Sequence, residues 1–200
     1  MSYTKEFLQE SVEILNQLDS DEIDRVAKVL LDTRNKKGRL FFAGSGGGAG
    51  HSSHATADFR KLGGFEAYSI TDNVSELTAR VNDESWETAY SNWLKVSRFD
   101  KNDCLFVFSV GGGSSEMNIS PNLVSAVDLA RECGASVVGV VGRDGGHLKK
   151  YSTACILIPT INSSHVTTQV EGFQALMWHL LIGHPVLDAA TPKWESEVNL

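Results

Sequence analysis

No apolar run in the 200 residues approaches the roughly 20 that a membrane-spanning helix requires, so no spanning helix is expected. Cysteine is scarce: Cys104, Cys133 and Cys155 are far apart and form no CxxC pair, which argues against a cysteine zinc site or a redox couple and for buried thiols. The opening MSYTKEFLQE lacks the basic start and apolar stretch of a signal peptide, and a cytoplasmic location is the expectation. Positive charge is also in short supply, with 18 Lys and Arg against 25 Asp and Glu, a net charge of -7 that disfavours a nucleic-acid partner. The cluster Arg34, Lys36, Lys37 and Arg39 lies between a predicted helix and a strand, where cations suit a solvated helix C-terminus. There is no repeat, low-complexity tract or linker. The length then predicts a single domain over 1–200, with N-terminal helices over 1–37, an α/β core over 38–185 and a tail over 186–200.

What the chain does contain is a series of short apolar runs. RLFFAG, FEAYSI, CLFVFS, SVVGVVG and ACILIP read as five strands, the second the weakest. Helical periodicity appears at Phe7, Val12, Ile14 and Leu15, then at Ile23, Val26, Val29 and Leu30, where Asp19 three before Glu22 marks a start. It returns from Leu123 to Ala130 and from Phe173 to Leu180. Buried strands alternating with helices predict an open, doubly wound parallel sheet covered on both faces. Trp86, Trp93 and Trp178 sit among apolar neighbours and are expected in core or subunit packing, whereas Trp194 lies near a polar terminus.

Two strand ends run into unusual loops. The first is Gly44-Ser45-Gly46-Gly47-Gly48-Ala49-Gly50, ahead of a helix carrying His51, His54 and Asp58. The second is Ser109-Val110-Gly111-Gly112-Gly113-Ser114-Ser115. Glycine lets the backbone approach a ligand closely, and main-chain N–H groups at a helix start attract an anion. Ligands of such sheets bind beyond the carboxyl ends of the strands, so a phosphate or a polar sugar edge is expected on these two turns. Neither turn fits the dinucleotide or nucleoside triphosphate fingerprints.

The GSGGGAGHSSHATADF segment, the Asn82-Asp83 pair, SVGGGSS, VVGRDGG at 140–146 and the helix from Glu171 to His179 together resemble the SIS-domain sugar isomerases, and among them the phosphoheptose isomerases. The resemblance spans nearly the whole chain. It implies a five-stranded parallel sheet, a homotetramer with sites at subunit interfaces, a zinc ion, and conversion of sedoheptulose 7-phosphate to a heptose 7-phosphate for surface glycans.

By position, Ser45, Gly46, Gly47 and Gly48 fall on the family's first substrate loop, Asn82 and Asp83 on its Asn-Asp pair, and Ser109, Val110 and Gly111 on its phosphate loop. Ser120, directly before a helix and a natural N-cap, is the choice for the last phosphate hydroxyl, with Ser114 its competitor. The chain has Ser45 and Gly48 where the family's first loop carries asparagine and serine, and glycines in its second loop where the family carries hydroxyls.

His54 and Asp58 are four apart and share a helix face; Glu171 and His179 are eight apart and nearly do. Two imidazoles and two carboxylates suit zinc or a similar ion. The family places metal or catalytic residues at these four positions, with glutamate for Asp58 and glutamine for Glu171. Asp58 is the expected base, His179 the acid and Glu171 the reserve base of an aldose–ketose isomerisation. Without the resemblance, the first pair reads as a surface pair and His179 as a core residue. A partner-binding SIS protein is the competing function, against which the four retained side chains argue, and a sugar-phosphate sensor is a third. His51, His147, His165 and His184 are expected at surface or loop positions.

Overall fold

The computed structural model describes residues 2–196, so the last residues of the 186–200 tail lie outside the described part. Two helices, α1 (Tyr3–Gln17) and α2 (Ser20–Asn35), precede β1 (Leu40–Gly44), α3 (Gly47–Lys61), β2 (Ala67–Ser69), α4 (Val74–Asp83) and α5 (Ala89–Val96). Then follow β3 (Cys104–Phe108), α6 (Pro121–Glu132), β4 (Ser136–Val141), α7 (Gly146–Tyr151), β5 (Ala154–Leu157), α8 (Val166–Ile182), a 3-10 turn at Pro185–Leu187 and α9 (Lys193–Ser196). All five predicted strands form, in one parallel sheet ordered β2-β1-β3-β4-β5. Asp19 caps α2 as predicted, its Oδ1 accepting from the N–H groups of Asp21 (3.0 Å) and Glu22 (3.1 Å), a contact worth about 1 kcal/mol.

Alternate side chains of each strand enter two separate cores. Phe42, Phe106, Phe108, Val138 and Ile156 pack under α2, α3 and α8, and Phe41, Leu105, Val107, Val137 and Cys155 pack under α5, α6 and α7. This double burial is why the strands are continuously apolar. Cys104 and Cys155 are buried and reduced, as expected, and burial pushes each thiol up to about 12. No helix of the described residues is long and apolar enough to cross a membrane.

The basic cluster after α2 is less solvated than the sequence suggests. Arg39 reaches the buried Asp103 through Nε (3.1 Å) and Nη2 (2.7 Å), and Arg34 donates to the Gly63 carbonyl (2.9 Å). These contacts pin the amino ends of β1 and β3 and the loop after α3, and have no part in binding an anion.

α1 leaves Leu8, Val12 and Leu15 exposed along one face while Ile14 and Glu10 turn inward. Glu10 accepts from Asn162 (2.7 Å) and pairs with His165 Nδ1 (2.7 Å), contacts that hold its carboxyl below the usual range. His165 stands in the loop just before α8, and there it is a clamp between α1 and the start of α8. His184 does sit in a loop, before the 3-10 turn, where its Nδ1 accepts from Val186 and its Nε2 donates to Asp24 (3.1 Å).

Candidate functional site

The strand order reverses between β1 and β3, the point where an open parallel sheet leaves a crevice at its carboxyl edge. Gly44 and Phe108 are paired there in register. Both glycine-rich turns therefore start from one point of the sheet, although they are far apart in the linear sequence. The glycines of the first turn serve close packing. A Cβ on Gly44 would overlap the Gly48 carbonyl, and one on Gly48 would stand 2.7 Å from the Phe108 carbonyl. Gly46, at φ +57°, makes the reversal into α3.

The turns present fewer main-chain donors than the sequence suggests. In the first, the N–H groups of Gly48 and Ala49 already bond the carbonyls of Ser45 and Gly46. In the second, Gly112 N–H bonds Ser109 Oγ (3.0 Å) and Ser114 N–H bonds the Ile119 carbonyl (2.9 Å). The carbonyls of Gly112 and Gly113 point away, accepting from Leu148 and His147 at the head of α7. Ser120 does stand before α6, but its backbone is left-handed (φ +48°) and its side chain caps nothing. The expected N-cap is corrected on this point: a hydroxyl released from capping is free for a ligand.

A cleft of about 980 Å³ opens between the second turn, α7 and the start of α8. Ser45, Ser109, Val110, Gly111, Ser114 and Ser120 all line it, joined by Arg143, Lys150 and Thr167. Asn82 and Asp83 do not. They are exposed at the end of α4, where Asn82 Nδ2 donates to Asp83 Oδ1 (2.7 Å). Ser45 is oriented by residues that the sequence reading missed. Asn122, fully buried, donates to Ser45 Oγ (3.0 Å), and its own Oδ1 has no partner among the described residues. Tyr90 OH donates to the Gly44 carbonyl (2.7 Å). A polar residue in the first turn of α6, next to the apolar Leu123 and Val124, was the sequence signal for Asn122.

The His and carboxylate residues line up on the two helices that follow. α3 packs against α8, and Thr167, Glu171, Ala175 and His179 recur every fourth residue along one face of α8. Glu171 is one turn beyond Thr167 at the cleft, its carboxyl against Gly47: a Cβ on that glycine would come within 2.8 Å of either oxygen. Two turns further, about 12 Å along the axis, His179 meets His54 and Asp58 of α3. Ligand atoms of these three lie within 4.8 Å of one another. Glu171 stands outside that group. The structure thus brings together three of the four predicted metal-type residues and sets the fourth between them and the cleft.

The trio fits a cation. His179 Nδ1–H donates to the Ala175 carbonyl (2.7 Å), which leaves Nε2 as its free lone pair. His54 Nε2 lies 3.8 Å from Asp58 Oδ2, and both imidazoles pack against the buried Trp178 ring. Trp178 is in the core, as predicted. Trp194 is exposed, with Lys193 Nζ 5.8 Å from its ring centre, and Trp86 is outside the core, lining a shallow pocket with Ser45 and Gly46.

Two histidines expected to be peripheral are not. His51 is half-buried on α3 beside Glu171 and the Phe108 ring, and burial holds its imidazole below the ordinary range, with Glu171 pulling the other way. His147, on the cleft wall, has a side chain only 8% exposed and donates from Nε2 to Asp128 (2.8 Å). Their burial comes from helices that meet only in the folded chain.

Comparison with known proteins agrees with this fold. Residues 3–142 match the family model described as the SIS domain. A lincomycin biosynthesis protein, LmbN, of Streptomyces lincolnensis is 32% identical over 191 residues, covering 90% of this chain and 68% of that protein. A phosphoheptose isomerase of Akkermansia muciniphila is 32% identical over 173 residues, covering 84% of this chain and 82% of that one. The structure of phosphoheptose isomerase GmhA from Neisseria gonorrhoeae has the same fold, with a TM-score of 0.78 at 22% identity over 90% of this chain and 96% of that one. The chain belongs to the SIS-domain family and, within it, groups with the phosphoheptose isomerase-like members.

Proposed function

We propose that the protein interconverts sedoheptulose 7-phosphate and the corresponding heptose 7-phosphate, as an aldose–ketose isomerase supplying heptose for surface glycans. The observation that carries this reading is the continuity between a hydroxyl-lined cleft and a carboxylate–imidazole cluster along one face of α8. The phosphate lies in the cleft against Ser109, Val110, Gly111 and Ser120, with Ser114 alongside. Ser45 and Gly46 to Gly48 face the sugar chain, and C1 and C2 extend toward Glu171 and the trio. Asn82 and Asp83 act only if α4 moves or a neighbouring subunit presents them. The phosphoheptose isomerases among the relatives support the activity.

In the metal-free site, with His179 protonated on both ring nitrogens, Asp58 takes the proton from C1 as His179 Nε2 delivers one to O2, forming the enediol and leaving the Nε2 lone pair free. The Asp58 proton then goes to C2 and the O1 proton returns to Nε2, which leaves the aldehyde at C1. Zinc held by His54, Asp58 and His179 would polarise the carbonyl and hydroxyl oxygens. Nε2 cannot ligate a cation and carry a proton at once, so in the metal-loaded site the proton-carrying role passes to Glu171, the carboxyl that stands between the trio and the cleft. Convergence of three ligating side chains is more than a binding-only SIS protein needs.

A homotetramer with sites at its interfaces completes the reading. His179 is exposed between the exposed Leu176 and Leu180, and α1 presents Leu8, Val12 and Leu15. Apolar patches of this kind are characteristic of subunit contacts. Sedimentation equilibrium should give four chains per particle; a monomer would remove this part of the reading. The decisive assay incubates metal-analysed protein with sedoheptulose 7-phosphate and follows the aldose by NMR. Product is expected, and its absence with zinc supplied would reject the isomerase.

A further inference from the structure

We infer that Arg143 is a specificity-determining residue of the cleft, a guanidinium that binds the phosphate of the sugar substrate in place of the Gly112 and Ser114 main-chain donors, which the second turn uses internally. The inference rests on the sugar-phosphate reading above and identifies the group that selects for the anion.

Three observations carry it. Arg143 follows the last strand residues of β4 in a tight turn closed by Gly145 N–H to the Gly142 carbonyl (3.0 Å), and its φ is +55°. A residue with a Cβ is disfavoured there, and where one occurs at a binding site the strain points to a use for its side chain. That side chain lies over the second glycine turn: a Cβ on Gly111 would be 3.3 Å from Arg143 Cδ and 3.7 Å from its Nε. Gly111 thus has no side chain where the arginine passes. Finally, Arg143 makes no hydrogen bond, ion pair or ring contact with any described residue, although it lines the cleft beside Ser109 and Ser120.

The other charges on the cleft wall are less available. Lys150 Nζ stands over the Tyr151 ring (5.1 Å), and Asp144 Oδ1 accepts from Gly146 N–H (3.1 Å). Glu116, exposed on the outer lip, repels an anion and favours the inner position beside Arg143. The second turn has lost donors: Gly112 and Ser114 N–H groups are bonded within the loop. A phosphate there needs charge, and a guanidinium fork matches two phosphate oxygens at once.

The test exploits the backbone. Arg143→Gly removes the guanidinium and also relieves the left-handed strain, so melting temperature should stay level or rise while ligand binding falls. Titration calorimetry on the metal-loaded protein would compare inorganic phosphate, sedoheptulose 7-phosphate and unphosphorylated sedoheptulose. Arg143→Gly should bind the two phosphates about 10- to 100-fold more weakly and leave the free sugar unchanged. Arg143→Lys should recover part of the loss. In turnover, KM should rise with little change in kcat, because the phosphate is remote from C1.

Phosphate affinity unchanged in Arg143→Gly would overturn the inference, as would a native protein that binds sugar and sugar phosphate equally. If the native protein binds sugar phosphate through Arg143 yet makes no aldose, the isomerase reading fails and the Arg143 assignment stands.

Discussion

Asp58→Asn should lower kcat for aldose formation from sedoheptulose 7-phosphate by about 100- to 10,000-fold, the range associated with losing a positioned acid–base group. The amide matches the carboxylate in shape, and Asp58 is only partly buried, so stability should change little. Binding of the sugar phosphate should be nearly intact, because the cleft is more than two helical turns away along α8. Zinc content should fall as well, since one of three ligating groups is lost. Glu171→Gln separates the two proton-transfer arrangements. It should cost little in the metal-free protein, where Asp58 and His179 suffice, and much in the zinc-loaded one. Full turnover by Asp58→Asn in a coupled assay would remove Asp58 from the chemistry and leave Glu171 as the base.

Trp178→Ala should destabilise the protein by about 3–5 kcal/mol, the usual cost of emptying a buried indole. Trp178 is 1% exposed, and it also backs His54, whose ring centre is 4.7 Å away, and His179. Its loss should therefore weaken zinc affinity beyond the drop in stability. Trp178 Nε1 is buried with no hydrogen-bond partner among the described residues, so Trp178→Phe removes an unsatisfied donor while keeping an aromatic ring. That variant should retain most of the stability. Chemical denaturation with a zinc titration on each variant checks both points. Equal losses from alanine and phenylalanine would show that packing at this position is not what supports the histidines.

The two predictions draw on different kinds of legibility. Phe41 and Phe42 are neighbours in sequence yet enter opposite cores, and the unbroken apolar run they belong to could be read directly as a strand covered on both sides. The Asp19 cap was equally readable, because capping is local chemistry between residues two and three apart. His54 and Asp58 could be paired from helical spacing alone. Their meeting with His179 could not, since it depends on α3 packing across α8. His51 was missed for the same reason: from sequence it is one more histidine after a glycine turn, and only Glu171 and Phe108, brought in by other elements, enclose it.

By itself, then, the amino-acid sequence determined the strands, the helices between them, the capping of α2 and the position of the two glycine turns at the carboxyl ends of their strands. Strand burial, helix periodicity and glycine conformation all act over a few residues, so they survive in a linear reading. Tertiary structure decided what the glycine turns contribute. Packing of the second turn against α7 directs the carbonyls of Gly112 and Gly113 to Leu148 and His147, the amides of Gly112 and Ser114 are bonded within the loop, and Ser109, Ser120 and Arg143 face the cleft. The hydrogen bonds of a loop are shared out only when its neighbours are in place, and those neighbours come from strands and helices far along the chain.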